Sequence, residues 1–176
     1  MKGQDLLVLL KLVARDNNDW SYAGLASELG MSASEVHAAI KRCSKSGLYN
    51  PHSRRENKGA LMEFLTHGLR YVFPAQPGPI RQGLPTSFAA EPLSRRIQFD
   101  PQEAPVMPLI SGPCRGPEIV PLYSSAPTAA SKDERLYRLL TLADALRAGR
   151  SRERKIAVEL LSKELLEGDS HEPTRR

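Results

Sequence analysis

A chain of 176 residues has room for one medium domain, or for one small domain with appendages. Hydrophobic residues make up 40% of it and aromatic residues 6%, slightly lean for one packed globule, so part of the chain is expected outside a single core. The formal net charge of +5 is compatible with nucleic acid as a partner but does not require one.

Cys43 and Cys114 form neither a CxxC pair nor a metal-ligand spacing, which fits a reduced cytosolic protein. The apolar run Leu6–Leu10 stops at Lys11, too short to span a bilayer and without a small-residue cleavage site. A cytoplasmic location away from membranes is expected.

In chain order, Gln4–Ala14 reads as a helix whose leucines and valines leave little polar face, so its own domain or a partner subunit must bury it. Asp16-Asn17-Asn18-Asp19 is a turn signal, and Trp20 is expected to anchor a core. A second helix opens at Ser21 or Tyr22 and ends at Gly30. Ser32, with Glu35 three residues on, makes a capping box for a third helix reaching Ser46, and Gly47 supplies its left-handed stop. Asn50-Pro51 breaks the chain, a fourth helix is expected over Glu56–Leu69, and Arg70-Tyr71-Val72-Phe73 has strand composition.

From Pro74 to Pro127 the chain carries most of its prolines, which argue against long helices and central strands. Its apolar residues favour an ordered, extended segment over a disordered linker. The best short-strand candidates are Ile97-Gln98-Phe99 and Glu118–Tyr123. Beyond it, Ser131 and Glu134 form another capping box, and Leu136, Leu139, Leu140, Ala143 and Leu146 recur at helical spacing. Gly149 is placed to interrupt that helix, after which Ile156, Leu160, Leu161 and Leu165 continue the stripe.

The strongest functional signal is Leu25-Ala26-Ser27-Glu28-Leu29-Gly30-Met31-Ser32 followed by Val36 and Ile40. A small residue lets two helices approach, glycine permits the tight turn, and the aliphatic side chains fill the angle between them. The outward face of the third helix then holds Ser34, Glu35, His37, Ala38, Lys41, Arg42 and Lys45, with Ser32 at its tip. Small polar groups at the tip suit base edges, and cations further along suit phosphates. Arg54, Arg55 and Lys58 extend the basic flank.

These residues resemble the winged helix-turn-helix regulators of the multiple-antibiotic-resistance type over roughly residues 4–90. The resemblance implies double-stranded DNA as partner, a homodimer on a palindromic site, and transcriptional regulation. In that family a two-stranded wing follows the recognition helix. Here the helix-like segment 56–69 comes first, and Gln76-Pro77-Gly78-Pro79 makes a poor regular hairpin. The stretch from Pro121 to Arg154 is similar to helix-turn-helix proteins paired with nucleotidyltransferase-type toxins, which would imply a toxin-binding antitoxin role through residues 118–167.

The fold expected is mainly α. A winged helix-turn-helix occupies residues 1–90, a proline-rich extended segment with short strands 91–130, C-terminal helices for dimerisation or partner binding 131–167, and a polar tail 168–176. The aliphatic stripe of the last helices serves packing or a dimer, and Arg147, Arg150, Arg152, Arg154 and Lys155 form a solvated face or a contact for DNA or an acidic partner. His37, His52, His67 and His171 lack ligand spacing, and Cys43 reads as a core residue or, less simply, a redox sensor. No phosphate-cradling loop, GxSxG or HExxH motif is present, so neither enzyme activity, cofactor nor metal is expected.

Overall fold

The computed structural model describes residues 1–15, 17 and 19–167. Part of the Asp16–Asp19 turn and the polar tail 168–176 lie outside them.

Helix α1 (Gly3–Arg15) is buried on nearly all sides, with Leu6, Leu7, Val8, Leu9 and Leu10 at zero exposure. Successive helical residues are about 100° apart, so five in a row point in every direction around the axis. Packing on one face cannot bury them all. Helix α3 (Ala33–Lys45) covers one side of α1 and α7 (Glu134–Ala148) covers another. The three sequence zones consequently share one apolar core running from Leu6 to Leu165. The helix 4–14 face and the Leu136–Leu165 stripe, expected to offer a dimer surface, are spent inside the chain.

Helix α2 (Tyr22–Leu29) starts at Ser21, whose hydroxyl accepts from Gly24 N–H, and stops at Gly30 in the left-handed region (φ 63°). The capping box on α3 is present, and Gly47 follows its end with φ 76°. A feature missed in the sequence comes next. Strands β1 (Tyr49–Asn50) and β2 (Arg55–Glu56) pair antiparallel as a short hairpin. The Asn50 carboxamide accepts from the His52 and Ser53 amides at 2.9 and 3.3 Å, folding the tip. Helix α4 (Lys58–Glu63), capped by Asn57, continues through a π turn (Phe64–Gly68) into α5 (Leu69–Val72). Arg70–Val72 is therefore helical rather than strand. Leu61, Leu65 and Leu69 keep one face on the core through the turn, and this burial outweighs the strand propensity of Tyr71 and Val72.

The proline-rich segment is ordered and holds a three-stranded antiparallel sheet. Strand β3 (Ile80–Pro85) lies between β4 (Val106–Pro108) and β5 (Cys114–Pro117). A central strand survives among prolines because Pro85, Pro108 and Pro117 each close their strand, leaving its interior N–H groups free to pair. Neither sequence candidate for a strand held: Ile97–Phe99 has no strand pairing, and 118–123 follows β5 with one bridge, Glu118 to Val106. Val106, Met107 and Ile119 are buried, whereas Ile110 and Val120 stand in solvent.

A short α6 (Ala126–Ala130) precedes α7. The cap of α7 is Asp133, accepting from Leu136 N–H at 3.0 Å, and not the expected Ser131–Glu134 box, because Ser131 closes α6. Gly149 separates α7 from α8 (Ser151–Ser162), which ends in a π turn (Lys163–Glu167). Among the described residues no helix is long and apolar enough to cross a membrane.

Two ion networks pin the helices. Lys11 of α1 bridges Glu28 of α2 at 2.7 Å and Asp133, the cap of α7, at 2.6 Å. Burial alone would raise both carboxyls and lower the amine. The hydrogen bonds and opposite charges outweigh it, holding Glu28 and Asp133 below their ordinary values and Lys11 above its own. Arg147, placed by sequence in an exposed basic cluster, is instead buried, its side chain 4% exposed. It donates to Asp144 at 2.8 Å, to the Phe73 carbonyl at 2.9 Å and to the Val120 carbonyl at 3.0 Å, while Thr86 donates to the other Asp144 oxygen. One guanidinium thereby joins α7, the end of α5 and the segment after the sheet.

Removing that guanidinium leaves the buried Asp144 carboxylate with no cation, only its Thr86 bond, and takes the donor from two carbonyls. Arg147→Ala is expected to cost about 3–5 kcal/mol in denaturant unfolding, against about 0.5 kcal/mol or less for Arg152→Ala on the surface. Acid behaviour has a defined sign. Glu28 and Asp133 titrate below their ordinary 4.5 and 3.8, so their stabilisation is complete above those values and is lost as pH falls from them through the lower native ones. Lys11→Met should therefore flatten the loss of stability from about pH 5 to about pH 3.

Candidate nucleic-acid interface

The α2–α3 pair closes around Leu25, Leu29, Val36, Ala39 and Ile40, all buried, which fixes the face α3 turns outward. Ser34, His37, Lys41 and Lys45 are exposed along it, with half-buried Ala38 between them. From Ser34 to Lys45 the stripe runs about 16 Å at 1.5 Å per residue. His37 packs its ring on Tyr22 at 5.2 Å.

The tip is built by hydrogen bonds. Ser32 Oγ accepts from Glu35 N–H at 3.2 Å, and Glu35 Oε2 accepts from both the N–H and the hydroxyl of Ser32 at 2.8 Å. Ser34 and Ser32 hydroxyls lie 3.0 Å apart. The second carboxylate oxygen of Glu35 accepts from the Tyr123 hydroxyl at 2.8 Å. These bonds hold the Glu35 carboxyl below its usual range, the Ser32 amide contributing most. Glu35 is thus committed within the protein and half-buried, rather than free to meet a base.

Arg42 is also committed. Its Nε and Nη2 clasp the fully buried Asp5 at 2.6–3.1 Å, and the Lys2 amide donates to the same carboxylate at 2.7 Å. A charge inside a leucine-rich helix signals that a buried Asp5 needs a cation, without pointing to Arg42 as that cation. Cys43 lies beneath, where burial pushes its thiol up to about 12 and suits a core residue.

The hairpin stands beside α3. Arg54, at its tip with φ 54°, lays its guanidinium 4.6 Å over the Trp20 ring and donates to the Trp20 carbonyl at 2.7 Å. Trp20 in turn meets Tyr22 and Tyr49 edge-on, at 5.2 and 6.4 Å. Sequence reasoning found Arg54 and Trp20 but not that one carries the other. Arg55 is exposed on β2, and Lys58 begins α4. The expected residues thus separate into an exposed set, Ser34, His37, Lys41, Lys45 and Arg55, a set engaged in the fold, Ser32, Glu35, Arg42 and Arg54, and Lys58, half-buried at the start of α4. Among the described residues no group of three or more His, Cys, Asp or Glu side chains is placed to hold a metal ion.

This division makes a prediction. Arg42→Ala should lower stability by about 1–3 kcal/mol, because it strands Asp5, while Lys41→Ala should leave the unfolding midpoint within error. Equal midpoints for the two variants would contradict the assigned roles. No family model, curated protein or solved structure matches this chain.

Proposed function

We propose that the chain is a cytoplasmic, sequence-specific DNA-binding regulator, in the manner of the winged helix-turn-helix proteins its sequence resembles, and acts by binding rather than catalysis. The observation that carries this reading is the exposed stripe Ser34–His37–Lys41–Lys45 on a rigid capped helix, with a basic hairpin beside it. In it, α3 enters the major groove tip first, Ser34 and His37 near base edges, Lys41 and Lys45 near phosphates. The hairpin β1–β2 takes the place of the wing, with Arg55 and the outer edge of the Arg54 guanidinium toward the flanking backbone.

Two copies on a palindromic site remain part of the proposal, but α1 and α7 are occupied within each copy, so pairing falls to other surfaces. A second reading, capture of a partner protein such as a toxin, draws on Val120 within 118–167. It is 58% exposed, close to the end of α5 where Val72 is 49% exposed. Serine at both positions should abolish co-purification with such a partner and leave DNA affinity intact.

The main test is a salt titration of binding to duplexes that the wild-type protein enriches from a random-sequence pool. Each lost phosphate contact lowers the slope of log affinity against log salt by about one, so Lys41→Ala/Lys45→Ala/Arg55→Ala should lower it by about three. An unchanged slope would remove these residues from the interface.

A further inference from the structure

Residues 122–125 lie between the sheet and α6, yet they touch α1, α2 and α3. The Leu122 carbonyl passes so close to α1 that a Cβ on Gly3 would sit 1.9 Å from it. The Ser125 hydroxyl donates to the Leu29 carbonyl at 2.5 Å, at the last residue of α2. A Cβ on Gly30 would come 3.4 Å from the Ser125 Cβ, so the strap lies against the α2–α3 turn itself. The Tyr123 hydroxyl reaches Glu35 in the first turn of α3. Behind the strap, Val120 is tied through Arg147 to α7.

Glu35 sits about 100° around α3 from Ser34, at the edge of the exposed stripe. A free carboxylate there would add a negative charge beside the polyanion that the stripe approaches. With Oε2 on Ser32 and Oε1 on Tyr123, both oxygens are instead held by hydrogen bonds within the chain. The helix N-terminus also favours a negative charge in this place, so the carboxylate is retained while its direction is controlled.

We propose that Tyr123 is a positioning residue of the reading helix, its hydroxyl holding the Glu35 carboxylate on the strap and away from bound DNA. This rests on the DNA-reading assignment above. It makes the segment after the sheet part of the reading apparatus, although Tyr123 touches no DNA itself.

The experiment is a double-mutant cycle on affinity for a duplex enriched by the wild-type protein. Tyr123→Phe should weaken binding about fivefold, through one released charge near phosphates. The same change made in a Glu35→Gln background should have no effect, since no charge remains to be directed. Equal weakening in both backgrounds would mean that Tyr123 acts through packing alone, and no weakening in either would mean that it positions nothing; both overturn the proposal. If no duplex is enriched, the DNA reading falls separately. The clasp is then read without DNA, from amide hydrogen exchange at Ser34–Val36. Faster exchange in Tyr123→Phe supports it and unchanged exchange overturns it.

Discussion

Five consecutive apolar residues in α1 set the constraint from which the rest of the molecule follows. Leu6 to Leu10 point in all directions around the helix, and all are at zero exposure. Each fully buried aliphatic side chain contributes roughly 1.5–3 kcal/mol, so leaving one side of α1 open would forfeit much of a typical domain's net stability. The α2–α3 pair cannot surround α1. Helix α7 must close the far side, and it does so from more than a hundred residues away in the chain. The α2–α3 unit is consequently one side of a larger core and not an independent head on a linker.

Charge placement follows the same geometry. Three buried or half-buried cations, Lys11, Arg42 and Arg147, each join elements remote in sequence. Burial penalises each charge, and at Lys11 hydrogen bonds and opposite charges outweigh that penalty. At Asp144 they do not: burial keeps its carboxyl above the ordinary value despite Arg147 and Thr86. The Asp144–Arg147 pair therefore fixes where three segments meet more than it adds net stability. Lys41, Lys45 and Arg55, by contrast, are exposed on the proposed DNA face.

Local signals in the sequence were legible where the physics is local. Ser32–Glu35, Ser21, Gly30 and Gly47 fixed the α2–α3 unit because caps and left-handed stops depend on residues three or four apart. The hairpin 49–56 escaped notice because two-residue strands show no alternation, although Asn50-Pro51 marked its turn. The sheet was placed wrongly within an ordered segment, since strand position there depends on which prolines fall at strand ends. Non-local facts were illegible: that Arg42 belongs to Asp5, Arg54 to Trp20, Arg147 to Asp144 and Glu35 to Tyr123. Each pair is remote in sequence, and a charged residue on a helix face reads the same whether it meets solvent or a buried partner.

The central claim is that the α2–α3 unit and the C-terminal helices fold as one unit around α1. Trp20 is the chain's one tryptophan and reports on the N-terminal half, whereas helical circular dichroism reports on all helices. The direct measurement is denaturant unfolding of wild type and Leu139→Ala, a core truncation in α7, followed by both signals. The account predicts one coincident transition in each protein, with both midpoints shifted together by about 2–5 kcal/mol of lost stability. A Trp20 transition that stays in place while the circular dichroism transition moves would contradict it.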